Sequence, residues 1–244
     1  MLRPIRASQY DCAKTNHQRE TGDWPVHYAF SPTVVPRPTD WRSAAKVAGY
    51  LWPVRLADWS PDPLLVDFLN AGPPPVYFSL GSFVAGDPER VVRAVVAALP
   101  TAGVRGVIQA GCSGLMAHGD DVLTTGYVPH DWLFPRMAAV AHHAGAGTTA
   151  AGLRAGIPAI PLPGAVDQPF WACRLAALGV SPGAVPLHRL TAGRLAAAVR
   201  RAVDHTAYRQ RARQVADRIA DEDGAGHIVA AVHQLASGGR HRSP

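Results

Sequence analysis

The architecture follows from residues 138–156, whose sequence is Ala-Ala-Val-Ala-His-His-Ala-Gly-Ala-Gly-Thr-Thr-Ala-Ala-Gly-Leu-Arg-Ala-Gly. A short apolar run suited to a buried strand is followed by two histidines, a loop of small residues, and a segment with helical spacing that ends at Gly156. The stretch predicts a strand, a tight turn and the N-terminus of a helix. Because unpaired backbone N–H groups and the helix dipole favour an anion there, we expect an anion-binding turn.

The residue types of this turn suit a phosphate group. Gly145 and Gly147 allow the main chain to approach an anion without a Cβ atom in between. Thr148 and Thr149 add hydroxyl donors, and His143 is placed to donate to the same anion. The turn is therefore a candidate phosphate site.

Two other interpretations fit the same residues. A small-residue turn is also typical of tight packing between a helix and a sheet. In addition, Gly145, Gly147 and Ala150 satisfy the dinucleotide fingerprint G-x-G-x-x-G/A, with Asp167 at the spacing of the ribose-binding acid. Asp167 lies beyond a proline-rich turn rather than at the end of the next strand, and several α/β units precede the motif, which makes the nicotinamide interpretation the weaker one.

Composition indicates a globular protein with few special demands. The 244 residues are 48% hydrophobic and 17% charged, which excludes a disordered chain. The net charge of +6 comes almost entirely from arginine, without interleaved aromatic residues or a nucleic-acid motif, so we predict solvated helix faces and no nucleic-acid partner. Cys12, Cys112 and Cys173 are far apart, which predicts neither disulfides nor a zinc site and suits the cytoplasm. We expect no signal peptide and no transmembrane helix.

The chain divides by pattern into three parts. Residues 1–75 are a polar segment followed by a proline-rich linker, for which we predict an extended course and one short helix over 64–69. Residues 76–236 alternate strand-like and helical patterns, including a last short strand over 185–187, and residues 237–244 form a tail. The alternation predicts an α/β fold with a Rossmann-like parallel sheet and helices on both faces.

Candidate polar residues follow several of the predicted strands. Since ligands bind at the carboxyl ends of parallel strands, Ser82, the histidines after residue 141, and the Asp167–Gln168 pair are expected in one pocket. Each also has a structural interpretation: Ser82 and Asp167 as helix N-caps, and His142 as a core histidine.

Four ordered motifs resemble one known family. Gly126–Phe134, His142–Thr149, Gly156–Pro158 and Pro161–Gln168 resemble the nucleotide-sugar signature of family 1 glycosyltransferases, most nearly the bacterial natural-product and sterol-type enzymes. The resemblance covers about residues 24–236. It implies the C-terminal half of a GT-B fold, with the N-terminal domain largely missing.

The resemblance also implies roles for particular residues. The matching positions are Ser82, His143, Gly145, Ala146, Gly147 and Thr148 for the donor diphosphate, Val128, His130 and Trp132 for the base, and Asp167 and Gln168 for the sugar. The implied donor is a UDP- or dTDP-sugar. No metal cofactor is implied, because histidine, hydroxyls, amides and the helix dipole would stabilise the leaving diphosphate.

The chain departs from the family pattern in two respects. Ala144 stands where the bacterial loop usually has glycine. The acceptor pocket and general base of a GT-B enzyme belong to its N-terminal domain, and neither His17 nor His27 follows a glycine-rich loop, so we predict no catalytic residue here.

Two functional hypotheses follow from the resemblance. The complete enzyme is expected to transfer a hexose to a small-molecule hydroxyl with inversion, and this chain to retain donor binding. The alternative is a non-catalytic nucleotide-sugar-binding module or one half of a split enzyme, whose partner chain supplies the acceptor domain. The sequence leaves a peripheral membrane contact open.

Overall fold

The computed structural model describes residues 25–80, 88–110 and 117–238. In chain order, the strands of these residues are β1 (Val26–Tyr28), β2 (Ala45–Val47), β3 (Val76–Ser79), β4 (Gly106–Gln109), β5 (His118–Gly119), β6 (Val122–Thr125), β7 (Ala139–His142) and β8 (Ala159–Pro161). Their helices are α1 (Pro63–Asn70), α2 (Pro88–Ala102), α3 (His130–Leu133), α4 (Ala146–Arg154), α5 (Gln168–Ala177), α6 (Ala192–Asp204), α7 (Thr206–Ala220) and α8 (Gly224–Gly238), and 3-10 turns occupy Phe134–Arg136 and Leu187–Arg189.

The main sheet is doubly wound. Its strand order is β5-β6-β4-β3-β7-β8, and every neighbouring pair is parallel except the short β5 with β6. Among the five parallel strands, the first in the chain lies in the middle, and the order reverses between β3 and β7. Such a reversal is the switch point at which doubly wound sheets bind ligands. The predicted Rossmann-like parallel sheet is confirmed.

Alternate residues of the central strands face two different layers of helices. Phe78 of β3 belongs to the same core cluster as Val95 of α2 and Leu195 of α6. The preceding Tyr77 belongs instead to the cluster of Leu65 from α1 and Leu133 from α3. Because side chains alternate across a strand, these two clusters lie on opposite faces of the sheet, which confirms helices on both faces.

The predicted strand over 185–187 is wrong. The backbone N–H groups of Val185 and Leu187 do donate to Pro161 and Pro163, at 2.9 and 3.0 Å. Pro163 and Pro186 have no N–H group to return such a bond, so the segment cannot form a parallel ladder. The chain turns into a 3-10 helix there instead.

The segment before β3 is more structured than its proline content indicates. β1 and β2 pair in parallel as a small separate sheet. Val34 between them is fully buried, and its carbonyl accepts from Nε and Nη2 of Arg174 at 2.8 and 2.6 Å. Ser31 Oγ donates to Glu222 Oε1 at 2.6 Å. Residues 26–50 therefore pack against α5 and the end of α7, while the domain division after residue 75 stays a prediction.

Two arginines of α7 form hydrogen bonds to the backbone of other parts of the domain. Arg209 Nη2 donates to the carbonyl of Ala138, at 2.8 Å, and Arg211 Nε to that of Leu178, at 2.9 Å. These two arginines thus do more than face solvent, which the composition did not indicate. In the described ranges, no helix combines the length and apolar character needed to cross a membrane.

Candidate functional site

The switch point brings polar side chains from adjacent strands together. Ser79 at the end of β3 is in register with His142 at the end of β7. Gln109 Oε1, at the end of β4, accepts from the hydroxyl groups of Tyr77 and Ser79, the latter at 3.1 Å. These polar side chains, together called the floor, lie below the loops that follow the strands.

His142 is part of this floor. Its side chain is 1% exposed, and its Nδ1 accepts from the backbone N–H of Ala144 at 3.1 Å. Burial, together with the neighbouring His143 and His130, lowers the pKa of His142 to about 3. The imidazole is therefore neutral at physiological pH, and the interpretation of His142 as a core histidine is confirmed.

The loop from His143 to Gly145 is shaped by two unusual backbone positions. Ala144 is fully buried with a φ of 65°, the left-handed region that glycine adopts at no steric cost. A Cβ atom on Gly145 would overlap Nε2 of His143. Gly145 therefore makes room for the imidazole, a role additional to the close approach of an anion.

His143 lies half-buried above the floor. Its Nδ1 is buried and has no hydrogen-bond partner in the described part of the chain. Burial lowers the pKa of His143, and the Asp167 carboxylate partly offsets this effect. At neutral pH the ring is therefore neutral.

The N-terminus of α4 follows directly. Gly145 occupies the N-cap position, and no side chain within the described ranges caps the helix. Ala146, Gly147 and Thr148 supply the first turn, whose N–H groups have no intrahelical carbonyl to reach. The next residue, Thr149, is buried, and its hydroxyl also lacks a partner among the described residues. This end of α4 is a polar surface suited to an anion.

Asp167 and Gln168 begin α5 with their side chains engaged locally. Asp167 takes the predicted N-cap position but does not cap the helix; its Oδ2 accepts from Nε1 of Trp171 at 2.8 Å. Gln168 is 4% exposed, and its Oε1 accepts from the N–H groups of Gly164 and Ala165 at 2.7 and 3.2 Å. Gln168 thus holds the loop before it through its side-chain oxygen.

His130 begins α3 and is held by aromatic packing. Its ring stacks on Phe134 with centroids 4.2 Å apart, and its Nε2 is buried without a partner in the described ranges. Burial lowers the pKa of His130, while Asp131 acts in the opposite direction. Val128 is buried in the core beside Tyr77.

Trp132 packs between aromatic and cationic groups. Its ring meets that of Trp59 edge-to-face, with centroids 5.4 Å apart, and Cζ of Arg136 lies 4.2 Å from its centroid. These contacts hold the Trp132 ring of α3 between the segment before α1 and the 3-10 turn that follows α3.

A cavity of about 1060 Å³ connects α3, α4 and the segment before α1. Of the predicted site residues, it is lined by His130, Ala146, Gly147 and Thr148. The remaining predicted residues with described positions lie outside the lining: His143, Gly145, Val128, Trp132, Asp167 and Gln168. Ser82 falls within residues 81–87, outside the described residues.

The lining residues that were not predicted site residues include Trp52, Arg55, Trp59, Tyr127 and Arg154. Tyr127 is 74% exposed beside His130. Arg154 lies two turns beyond Ala146 on the same helix, a spacing that could have indicated it. The three residues of the segment before α1 were missed because its prolines indicated only a linker.

Nowhere in the described ranges do three or more His, Cys, Asp or Glu side chains form a group that could hold a metal ion.

The fold and site define a doubly wound α/β domain whose switch point carries a tight turn suited to an anion. The family model for the C-terminal domain of erythromycin biosynthesis protein CIII-like proteins matches residues 95–235. The chain belongs to this family and is by family a glycosyltransferase.

Named relatives agree with this family. The chain is 40% identical over 213 residues to O-mycaminosyltylonolide 6-deoxyallosyltransferase of Streptomyces fradiae, covering 87% of this chain and 50% of that protein. It is 39% identical over 210 residues to a sterol 3-beta-glucosyltransferase of Arabidopsis thaliana, covering 85% of this chain and 33% of that protein. The chain therefore spans half of the length of these relatives or less.

Solved structures show the same fold. A spinosyn rhamnosyltransferase superposes with a TM-score of 0.67 at 23% identity, over 87% of this chain and 56% of the other. A UDP-glucose:anthocyanidin 3-O-glucosyltransferase in complex with UDP gives a TM-score of 0.67 at 18% identity, over 80% and 48%. The fold is thus that of one half of a GT-B glycosyltransferase.

Proposed function

We propose that this chain binds a nucleoside diphosphate sugar, with uridine or thymidine as the nucleoside, and forms the donor-binding part of an inverting glycosyltransferase. The observation that carries the proposal is the convergence at the switch point. There, His143, whose Nδ1 has no partner among the described residues, lies against Gly145 at the start of α4, a helix that no side chain of those residues caps, and Asp167 lies close enough to act on the pKa of His143. This arrangement suits a diphosphate followed by a hydroxylated ring.

In this proposal the donor lies along the loops after the strands. The first turn of α4, His143 and Ser82 bind the diphosphate. The base lies against the turn that contains Val128 and His130, supported by Trp132. Asp167 and the amide nitrogen of Gln168 bind sugar hydroxyls.

The proposed reaction is a single displacement at the anomeric carbon. The acceptor oxygen forms a bond to that carbon, the bond to the diphosphate oxygen breaks, and its electron pair leaves with the diphosphate. The hydroxyl proton goes to a general base that we assign to an acceptor domain. The α4 amides, the Thr148 hydroxyl and His143 stabilise the charge that develops on the diphosphate. We propose that they do so without a metal ion, which titration with and without EDTA tests.

A second domain would supply the acceptor pocket, either as a longer version of this chain or as a separate chain. The last helix, α8, supports this proposal, because Val229, Val232 and Leu235 are each about half exposed on it. Exposed apolar side chains one turn apart are typical of a surface that another domain covers. Mixing the chain with a GT-B N-terminal domain should then produce transferase activity that the chain alone lacks.

A cytoplasmic location is part of the proposal. The thiol of Cys173 is free and exposed in the structure, which suits a reducing compartment.

Calorimetric titration with UDP, dTDP and NAD tests the proposed donor binding. We expect heat with UDP or dTDP and none with NAD. His143→Ala should weaken the binding by at least about tenfold, because a hydrogen bond to a charged group is lost, whereas the control His27→Ala in β1 should leave it unchanged. No heat with either pyrimidine nucleotide at millimolar concentration would refute the proposal, and heat with NAD alone would favour a nicotinamide enzyme.

A further inference from the structure

One wall of the cavity comes from outside every predicted motif. Residues 51–59, here called the strap, contain neither helix nor strand. Trp52, Arg55 and Trp59 of the strap line the cavity opposite α3 and α4. The strap therefore faces the same space as the first turn of α4.

Three contacts tie the strap to both of the other walls. Cζ of Arg154 on α4 lies 4.5 Å from the ring centroid of Trp52. Arg55 Nε lies 3.5 Å from Oδ2 of Asp131 on α3, and the Trp59 ring packs edge-to-face on Trp132. The strap thus bridges α4, whose first turn is the predicted diphosphate site, and α3, which carries His130 and Trp132 of the predicted base site.

Apart from these contacts, only the two tryptophans among the apolar side chains of the strap are partly buried, Trp52 against the core cluster of Leu153 and Trp171 and Trp59 against that of Tyr77. Leu51, Val54 and Leu56 are 50%, 92% and 74% exposed. Exposed ion pairs and cation–aromatic contacts are individually weak, so a segment held in this way can adjust to a ligand.

The position of the cavity determines which residues a bound nucleotide would contact. With its diphosphate at the first turn of α4, the nucleoside has to extend into the cavity between α3, α4 and the strap. Two indole rings of the strap lie there, and aromatic rings stack on nucleobases of any sequence.

We propose that the strap forms one wall of the donor site and that it closes on the pyrimidine nucleoside through Trp52 and Trp59. This inference rests on the proposed binding of a nucleoside diphosphate. Donor affinity then depends on residues before the Rossmann-like sheet as well as on those after its strands. Inorganic pyrophosphate, which has no nucleoside, binds at α4 without the strap.

The test compares UDP and pyrophosphate binding by calorimetry. Trp52→Ala and Trp59→Ala should each weaken UDP binding by about tenfold and leave pyrophosphate binding unchanged, because pyrophosphate has no base to stack on either ring. Trp41→Ala is the matched control, since Trp41 packs on Tyr28 and does not line the cavity. It should change neither affinity.

Hydrogen exchange on the wild-type chain gives a second measurement that needs no variant. UDP should slow exchange of the strap amides, and pyrophosphate should not. Unchanged strap exchange on UDP binding, or equal UDP affinity in wild type and both tryptophan variants, would overturn the inference alone. Absence of UDP and dTDP binding by the wild type would overturn the proposed function and this inference with it.

Discussion

His142 and His143 are adjacent in the sequence, and the fold gives them opposite environments. His142 points into the floor below the switch point, where its Nδ1 accepts from the Ala144 N–H. His143 lies over Gly145 with its Nδ1 unpartnered in the described part of the chain. Strand periodicity predicts that neighbours face opposite sides. It does not say which one meets the ligand.

The buried state of His142 predicts a pH-dependent stability. The unfolded chain takes up a proton at the usual histidine pKa of 6.5, whereas native His142 does so only at about 3. As the pH falls below 6.5, the unfolded state is therefore favoured, and the free energy of unfolding should decrease. Urea denaturation between about pH 7 and pH 5 measures the slope.

His142→Asn is the informative variant. An asparagine oxygen can replace Nδ1 as acceptor for the Ala144 N–H, and it does not titrate. We expect a smaller decrease in unfolding free energy over the same pH range. An identical slope in variant and wild type would show that His142 does not contribute.

Ala144 predicts a contrast between two substitutions. Glycine would relieve about 1–2 kcal/mol of left-handed strain. It would also lose about 0.8 kcal/mol of methyl burial and add about 0.5–1 kcal/mol of unfolded-state entropy. Ala144→Gly should therefore change the unfolding free energy by less than about 1 kcal/mol.

Ala144→Val should instead cost at least about 2 kcal/mol, because a β-branched residue is strained at positive φ and the site is fully buried. Denaturant melts of both variants measure the difference. Equal stability of the two would contradict the left-handed conformation.

At the scale of elements, periodicity located most helices and the central strands of the described chain. The helix predicted over 64–69 appears as α1, and Thr191 caps α6 by accepting from the Arg194 N–H at 3.3 Å. The pairing of β1 with β2 was not indicated, because strands of three residues carry too little periodicity.

Gly224, the first residue of α8, has no room for a side chain. A Cβ on Gly224 would lie 2.5 Å from the carbonyl oxygen of Tyr50 and 2.6 Å from the carbonyl carbon of Gly49. Backbone atoms cannot move aside as a side chain can, so Gly224→Ala should destabilise the chain by about 1–3 kcal/mol.

Gly193→Ala on α6 is the matched control for this substitution. A Cβ there would meet nothing within 4 Å, so alanine should stabilise the helix by about 0.5–1 kcal/mol. Thermal and urea unfolding of both variants measure the changes. A Gly224→Ala variant as stable as wild type would mean that α8 does not cross the segment at residue 50 this closely.

At the scale of the whole molecule, residues 26–50 pack against α5 and α7 in a core cluster separate from those of Phe78 and Tyr77. Val34 is fully buried with Trp171 and Leu175 of α5 and Val215 of α7. Removing two buried methyl groups should cost about 2 kcal/mol, so Val34→Ala should lower the unfolding free energy by that amount.

Val54→Ala is the matched control, because this strap valine is 92% exposed. Its unfolding free energy should stay within about 0.5 kcal/mol of the wild-type value. Loss of stability at position 54 and not at position 34 would contradict the packing of residues 26–50 on the sheet domain.

The sequence by itself determined the alternation of strands and helices, the tight turn between β7 and α4, and the family to which the chain belongs. These depend on local patterns: apolar runs, glycine positions and ordered motifs. The roles assigned to Ser82 and the other site residues stay predictions.

Only the tertiary structure decided that His142 is buried while Nδ1 of His143 has no partner among the described residues. In the folded chain the side-chain oxygen of Gln168 also accepts from the N–H groups of Gly164 and Ala165, and Trp52 and Arg154 line one cavity. Such neighbours are far apart or on opposite faces along the chain, so no local pattern encodes their contact. Residues 138–156 fix where an anion can bind, and the packing of distant segments around them decides what else the ligand meets.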